Sequence, residues 1–382
     1  MINAKDFVEA ARSFDFEWYC GVPCSYLTPF INYVINDSSL TYISSANEGD
    51  AVATASGATI GGKRAIAMMQ NSGLGNAVSP LTSLSYVFRI PILIICTHRG
   101  QPGVPDEPQH ELMGQVTGEL FDTMRIPWES FPTSETEIHA ALERADKYMR
   151  KEQRPYALVM SKGTVAPETL APASPPSIRA KANARGERFI QSANRPGRQD
   201  VLKMIVAETS PKNDVILATT GFSGRELYAV QDRDNHFYMV GSMGCVSSLG
   251  LGLALARPDL RVVIVDGDGA ALMRMGNFST LGKYAESNLV HLLLDNEAHD
   301  STGAQATVSA HTDFAEIASA CGYRQITRAQ TVEQVKQALL EQSTDGAKFI
   351  HAKIATGTIE NLPRPKISPE AVYARLSKSI NS

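Results

Sequence analysis

The sequence predicts an α/β fold in two domains, each a mainly parallel sheet flanked by helices. Three observations predict it. The chain has 382 residues, beyond the size at which a single hydrophobic core usually keeps growing. Short apolar runs such as Ile92–Cys96, Tyr156–Met160 and Leu289–Leu294 carry no polar alternation, as strands covered by helices on both faces should read. Segments of helical period separate these runs, and the alternation breaks off once, between Lys162 and Arg198, before it starts again.

In the first half, helical spacing covers Asn3–Phe14, Ser25–Ile35 and Glu48–Ile60, with extended runs at Glu17–Val22, Leu40–Ser45 and Ala65–Gln70. Strand Ile92–Cys96, helix Glu135–Arg150 and strand Tyr156–Met160 complete that half. The stretch APETLAPASPPSIRAKANARGERF is rich in Pro, Ala, Ser and Arg without a sustained period, so it reads as a linker. Domain boundaries are therefore placed at 1–165, 166–197 for the linker, and 198–382. The second half repeats the alternation with helix Gln199–Thr209, strand Val215–Ala218, helix Ser247–Ala256, strand Val262–Asp266, helix Ala270–Tyr284 and strand Leu289–Leu294. Helix Val332–Gln342, strand Lys348–Ile354, a turn through Pro363 and Pro365, and helix Pro369–Ile380 finish the chain. Two similar halves suggest a duplicated architecture, although no residue-level repeat accompanies it.

A net charge of −4 and the lack of a clustered Lys/Arg stripe exclude a nucleic-acid partner and leave an anionic small molecule open. The amino terminus MINAKDFVEA lacks the pattern of a secretory signal, so a cytoplasmic protein is expected. The most apolar window, Ile90–Thr97, is strand-sized and bounded by Arg89 and Arg99, so no membrane span is expected. Cys20, Cys24, Cys96, Cys245 and Cys321 have no ligand spacing and read as buried free thiols.

The most informative stretch runs from Val262 to Gly303. An apolar strand ends at Asp266, Gly267 and Gly269 flank Asp268, and a helix follows at once, so the N–H groups of Gly269 and Ala270 leave a helix amino terminus suited to an anion. The Asp268 carboxylate repels such an anion unless a cation joins them, and Mg²⁺ commonly combines one or two protein oxygens with phosphate oxygens. A second strand delivers Asp295 and Asn296 at its carboxyl end, where open α/β sheets bind their ligands. From the residues alone, a lone Gly-Asp-Gly more often means that Asp268 only caps a helix and Asn296 only turns a loop. Two competing motifs fail: Leu272 stands where a dinucleotide fingerprint needs its third glycine, and Arg225 closes GFSGR where a nucleophile elbow needs glycine.

A Gly-Asp-Gly separated by a helix and a strand from an Asn-containing turn resembles the cofactor motif of thiamine-diphosphate enzymes. The resemblance implies Asp268, the Asn296 side chain and the Ala298 main-chain carbonyl as Mg²⁺ ligands. The family usually carries Asn where this chain has Asp295, which adds a carboxylate beside the metal. GSMG at 241–244 is similar to the family's segment in which a bulky apolar residue props the cofactor in its bent form. That match implies Met243 as the prop, with the Gly241 carbonyl facing the pyrimidine amine. Thr220, Gly221 and Ser223 fall where relatives contact the diphosphate, beside Gly269 and Ala270. In isolation Met243 reads more readily as a core methionine, and only its spacing to Asp268 points to the prop.

In the first half, TYISSANEGDAVATASGA ends a strand and opens a helix at Glu48. A Glu in a first helical turn is ordinarily a dipole partner or cap. The resemblance implies instead the catalytic acid that activates the cofactor's aminopyrimidine. NEG, QNSGLGN, RGQPG, DEPQH and AHDSTGAQ together resemble the phosphonopyruvate decarboxylase family, from about Gly21 to Val308. It implies two thiamine-diphosphate-binding domains without the middle domain of larger relatives, and decarboxylation of 3-phosphonopyruvate to phosphonoacetaldehyde and CO₂. It also implies thiamine diphosphate and Mg²⁺ as cofactors, and a homo-oligomer with active sites shared between subunits. Asn71, His98, Arg99, His110 and His299 lie in loops expected at the carboxyl edges of strands and are candidates for the phosphonate. The rival readings are a sulfopyruvate or other 2-oxo acid decarboxylase, and a cofactor-binding protein without catalysis. Retention of Glu48 speaks against the last.

Overall fold

A computed structural model describes residues 1–172, 181–187, 189, 194–343 and 345–381. The chain divides into two units, Met1–Ser177 and Ile178–Ser382.

The first unit is built on six strands: β1 (Phe16–Gly21), β2 (Thr41–Ser44), β3 (Arg64–Gln70), β4 (Leu93–Thr97), β5 (Trp128–Ser130) and β6 (Tyr156–Met160). They form one sheet in the order β2-β1-β3-β4-β6-β5, and every pairing is parallel. All five residues of β4 are buried, so both faces of the sheet are covered. Phe7, Phe30 and Phe131 fill one side with ring centroids 4.6 to 5.5 Å apart. Helix Glu48–Ile60 is buried along most of its length, which its small residues Gly49, Ala51, Ala53, Ala55, Gly57 and Ala58 permit. Its start is fixed by extended Asn47, whose side chain accepts a hydrogen bond from Gly49 N at 2.9 Å.

The second unit holds β7 (Ala184–Arg185), β8 (Asp214–Ala218), β9 (His236–Tyr238), β10 (Arg261–Gly267) and β11 (Leu289–Asp295). A small ribbon, β12 (Ala298–His299) with β13 (Gln305–Ala306), follows, and then β14 (Gln325–Ala329) and β15 (Lys348–Lys353). The main sheet runs β7-β14-β15-β11-β10-β8-β9 and is again wholly parallel. Its core contains His291, which bonds Tyr323 Oη at 2.9 Å and Asp266 at 3.2 Å, so the buried imidazole is satisfied on both nitrogens.

Three expectations change. The segment 166–197 lies partly outside the described residues, but it includes β7, which pairs with β14, so it is more than a tether. The single helix Ala270–Tyr284 is two helices, Asp268–Met273 and Asn277–Tyr284. Arg274 leaves helical geometry, and just beyond it Asn277, the first residue of the second helix, donates to Ser247 Oγ at 2.9 Å in a buried contact. The loop expected around His110 is short, because helix Glu111–Thr123 begins directly after it. Cys20, Cys24, Cys96 and Cys245 are buried free thiols, while Cys321 is half-buried. Among the described residues no helix is long and apolar enough to cross a membrane.

Candidate active site

In the second unit, the loops that leave β8, β10 and β11 converge at the carboxyl ends of three neighbouring strands. The cleft they form is lined by Thr220, Gly221, Ser223, Met243, Asp268, Gly269, Ala270, Asn296, Ala298 and His299. Ten positions singled out in the sequence thus meet in one place. Gly241 lies two residues before Met243 but outside this lining.

Each part of the cleft has a local cause. Gly221 has φ +91° and ψ −143°, a conformation essentially restricted to glycine, and it precedes helix Phe222–Val230, whose amino terminus carries the buried Ser223. Met243 stands between Ser242 at φ +52° and Gly244 at φ +88°. Two left-handed residues around one ordinary residue turn the chain sharply and present the thioether to the cleft, where its Cε lies 3.2 Å from the point a Cβ on Gly269 would occupy. That same Cβ would lie 2.4 Å from His299 Cε1, so only glycine fits between Met243 and the imidazole.

Asp268 is the first residue of helix Asp268–Met273 and is 3% exposed. Burial raises its pKa, and the charge of Asp295 adds to this, although hydroxyls of Thr307 and Ser309 and the Gly269 N–H oppose the shift. Asn296 donates its amide Nδ2 to Asp300 Oδ2 at 2.6 Å. This fixes which end of the amide is oxygen, and Oδ1 accepts only a long contact from Ala298 N at 3.4 Å. A buried carboxylate, an oriented amide oxygen and a main-chain carbonyl form an all-oxygen donor set of the kind Mg²⁺ takes together with phosphate oxygens. No group of three or more His, Cys, Asp or Glu side chains able to hold a metal occurs among the described residues, so a cation here depends on oxygens from elsewhere. The two glycine-bordered helix starts beside these donors fit a diphosphate.

Asp295 corrects an expectation. It does not offer a spare carboxylate beside the metal, because its oxygens already take four donors: Glu297 N at 3.1 Å, Ser309 Oγ at 2.8 Å, His351 Nε2 at 2.8 Å and Lys353 Nζ at 2.7 Å. Burial would raise its pKa, but His351 and Lys353 outweigh burial and hold it well below the usual carboxylate range.

In the first unit, Glu48 opens its helix half-buried and accepts a hydrogen bond from Asn76 Nδ2 on Oε2 at 2.9 Å. Its other oxygen rests against Gly73, where a Cβ would come within 2.1 Å of Oε1. Three of the five phosphonate candidates are spoken for within this unit. Asn71 is fully buried, donates to Arg99 O at 2.8 Å and Thr117 Oγ1 at 2.9 Å, and accepts from Arg99 N at 3.2 Å. The Arg99 guanidinium pairs with Asp106 in a two-pronged contact and reaches Ser25 Oγ at 3.1 Å, stapling the loop that follows β4. His98 Nε2 meets Gly114 O at 2.8 Å. His110 is buried, and its Nδ1 has no partner among the described residues. His299 lines the cleft of the second unit.

Sequence reasoning missed Arg198 and Asp300, which also line that cleft. Arg198 is buried and pairs with Asp300 at 2.7 Å and Glu226 at 2.8 Å, and Asp300 in turn orients Asn296. A signal existed in the AHDSTG stretch, where Asp300 follows the predicted ligands by two residues.

Both sheets and the converging loops define a class, and family comparison agrees with it. Residues 2–123 match the thiamine pyrophosphate enzyme N-terminal TPP binding domain and residues 220–352 the C-terminal TPP binding domain. A 4-hydroxybenzoylformate decarboxylase structure from Rhodococcus jostii has the same fold, with a TM-score of 0.70 at 13% identity, covering 94% of this chain and 100% of that one. Among curated relatives, phosphonopyruvate decarboxylase of Streptomyces viridochromogenes is 44% identical over 98% of this chain and 94% of its own length. Sulfopyruvate decarboxylase of Methanosarcina acetivorans is 29% identical, covering 100% of this chain and 98% of its own. The chain belongs to the phosphonopyruvate decarboxylase family of thiamine pyrophosphate enzymes.

Proposed function

We propose that this chain decarboxylates 3-phosphonopyruvate, releasing CO₂ and phosphonoacetaldehyde, with thiamine diphosphate and Mg²⁺. The observation that carries the reading is the single cleft holding Asp268, Asn296 and Ala298 beside two helix starts, in a chain 44% identical to a phosphonopyruvate decarboxylase over nearly its whole length. When bound, thiamine diphosphate supplies a thiazolium that stores the electron pair left when CO₂ departs. The chain's residues do the rest. Asp268, the Asn296 oxygen and the Ala298 carbonyl hold the metal; Thr220, Gly221, Ser223, Gly269 and Ala270 cradle the diphosphate. Met243 and the Gly241 carbonyl set the cofactor's shape. Glu48 holds a proton at the aminopyrimidine nitrogen, steadied by Asn76. For the phosphonate, His299 and His110 are favoured, since Asn71, His98 and Arg99 spend their polar groups inside the first unit.

Residues 1–165 and 198–382 would accordingly be the pyrimidine-binding and diphosphate-binding domains. Glu48 and Asp268 belong to different units, and we propose a homo-oligomer whose sites draw these residues from different subunits. The second reading, sulfopyruvate decarboxylation, rests on the full-length relative at 29% identity. Aldehyde release by purified protein from phosphonopyruvate, sulfopyruvate and pyruvate separates these. Phosphonopyruvate should be preferred by orders of magnitude over pyruvate, whose methyl group leaves the head-group donors unpaired. Comparable turnover of pyruvate would redirect the reading to a general 2-oxo acid decarboxylase, and preference for the sulfonate to the second reading.

A further inference from the structure

The end of β11 and the loop that follows it carry three carboxylates within six residues, Asp295, Glu297 and Asp300. Asp268 and Asp300 line the cleft, and Asp295 and Glu297 flank its lining residue Asn296. Four unmatched acids so close together would form a strong cation trap, since cation affinity rises with the number of charged ligands. Three of them are matched by buried or half-buried cations. Lys353 Nζ bridges Asp295 Oδ2 and Glu297 Oε1 at 2.7 Å each, with its side chain only 6% exposed. Arg195 Nη1 takes the other oxygen of Glu297 at 2.9 Å, and Arg198 takes Asp300 at 2.7 Å. Glu297 itself adopts φ +61°, an unfavourable conformation for a residue with a side chain, which its two ion pairs hold in place between Asn296 and Ala298. Asp268 differs. Its partners are hydroxyls and a main-chain N–H, and among the described residues no cation pairs with it.

Mg²⁺ sheds water reluctantly and is usually held by one or two carboxylates plus phosphate oxygens. We propose that Lys353, with Arg195 and Arg198, makes metal capture conditional on the diphosphate: the three cations offset Asp295, Glu297 and Asp300 and leave Asp268 as the one carboxylate without a cation, too few to hold a divalent ion until the diphosphate adds its oxygens. Lys353 is a positioning residue here, acting through the loop carboxylates. It is the cross-strand register partner of Asp295 on β15, which fixes the pairing in the sheet itself. The inference rests on the cofactor reading above.

The test uses full-length chain stripped of metal and cofactor, with Mn²⁺ binding followed by electron paramagnetic resonance, without and with thiamine diphosphate. The parent should bind Mn²⁺ firmly only with the cofactor. Lys353→Met should bind Mn²⁺ alone at least about tenfold more tightly than the parent. Adding Asp295→Asn to Lys353→Met removes the freed charge and should return metal-alone binding to within about threefold of the parent, while Lys353→Arg should behave as the parent. A folded Lys353→Met with parental metal-alone affinity overturns the proposal, as does a double variant that still binds Mn²⁺ alone. If Lys353→Met does not fold, Arg195→Gln decides. It unpairs one oxygen of Glu297 at a less buried position and should strengthen metal-alone binding about threefold; no change overturns the proposal. A parent that binds Mn²⁺ firmly without thiamine diphosphate also overturns the proposal, whereas a parent that binds no thiamine diphosphate at all defeats the cofactor reading instead.

Discussion

Gly73→Ala tests the placement of Glu48 without touching it. The Gly73 backbone has φ −83° and ψ −10°, which alanine adopts freely, so the main chain has no reason to rearrange. The added methyl would lie 2.1 Å from Glu48 Oε1, 2.2 Å from Cδ and 2.6 Å from Cγ, where 3.4 Å or more is ordinary contact. The carboxyl group therefore has to retreat by more than about 1 Å, and it can, because it is the far end of a flexible side chain. Stability should change by less than about 1 kcal/mol. Turnover should not survive so well: a misplacement of about 1 Å in a reacting group costs about a hundredfold, or about 2.7 kcal/mol of barrier. Aldehyde release from phosphonopyruvate measures the turnover and chemical denaturation the stability. Glu48→Gln, which keeps the shape and removes the proton, should lose at least about a hundredfold as well. A folded Gly73→Ala protein with near-parental turnover would refute both the contact and the role drawn from it.

Exhaustive chelation should abolish aldehyde release, and Mg²⁺ with thiamine diphosphate should restore it where either alone does not; full activity in chelated protein would remove the metal ligands assigned to Asp268 and Asn296. Mixing inactive Glu48→Ala with inactive Asp268→Ala under subunit exchange should recover activity, and inactivity of mixed oligomers that demonstrably form would end the shared-site proposal. His236 is fully buried, and burial, then the charge of Arg233, pushes its pKa down to about 4. An unfolded histidine protonates near 6.5, so the contribution of neutral His236 is complete above that pH and is lost as pH falls from about 6.5 toward 4. Between pH 7 and pH 5 this amounts to about 2 kcal/mol. His236→Gln should reduce the fall in unfolding free energy over that interval by a similar amount, and an unchanged fall would show that His236 does not titrate on unfolding.

Glu48, Asp268 and Asn296 were legible because their signal is local. Each sits where a strand gives way to a helix or turn, so residue type and spacing alone place it at the carboxyl edge of a sheet. Lys353 and Arg195 were not legible, since their role comes from pairing with Glu297 across 56 and 102 residues of sequence. The strand KFIHAK did hold a clue, for two lysines and a histidine in a wholly buried strand require partners. Asn71 and Arg99 show the opposite limit. Their loop positions suggested groups free for a ligand, whereas long-range contacts with Thr117 and Ser25 and a pairing within the loop with Asp106 engage them. The break at Arg274 escaped because helical period continues across it, and the buried bond from Asn277 to Ser247 beside it is tertiary.

The short strand β7 has a meaning for expressing the second unit by itself. It lies at the rim of the main sheet and supplies two residues of pairing to β14, Ile326 with Ala184 and Thr327 with Arg185. A fragment beginning before residue 184 keeps that rim covered. One beginning at the helix Arg198–Ala207 would leave β14 as a bare edge, with its ladder groups open to any extended chain that passes. The choice of cut within the connecting segment thus decides whether the piece stays dispersed or adds strands from its neighbours.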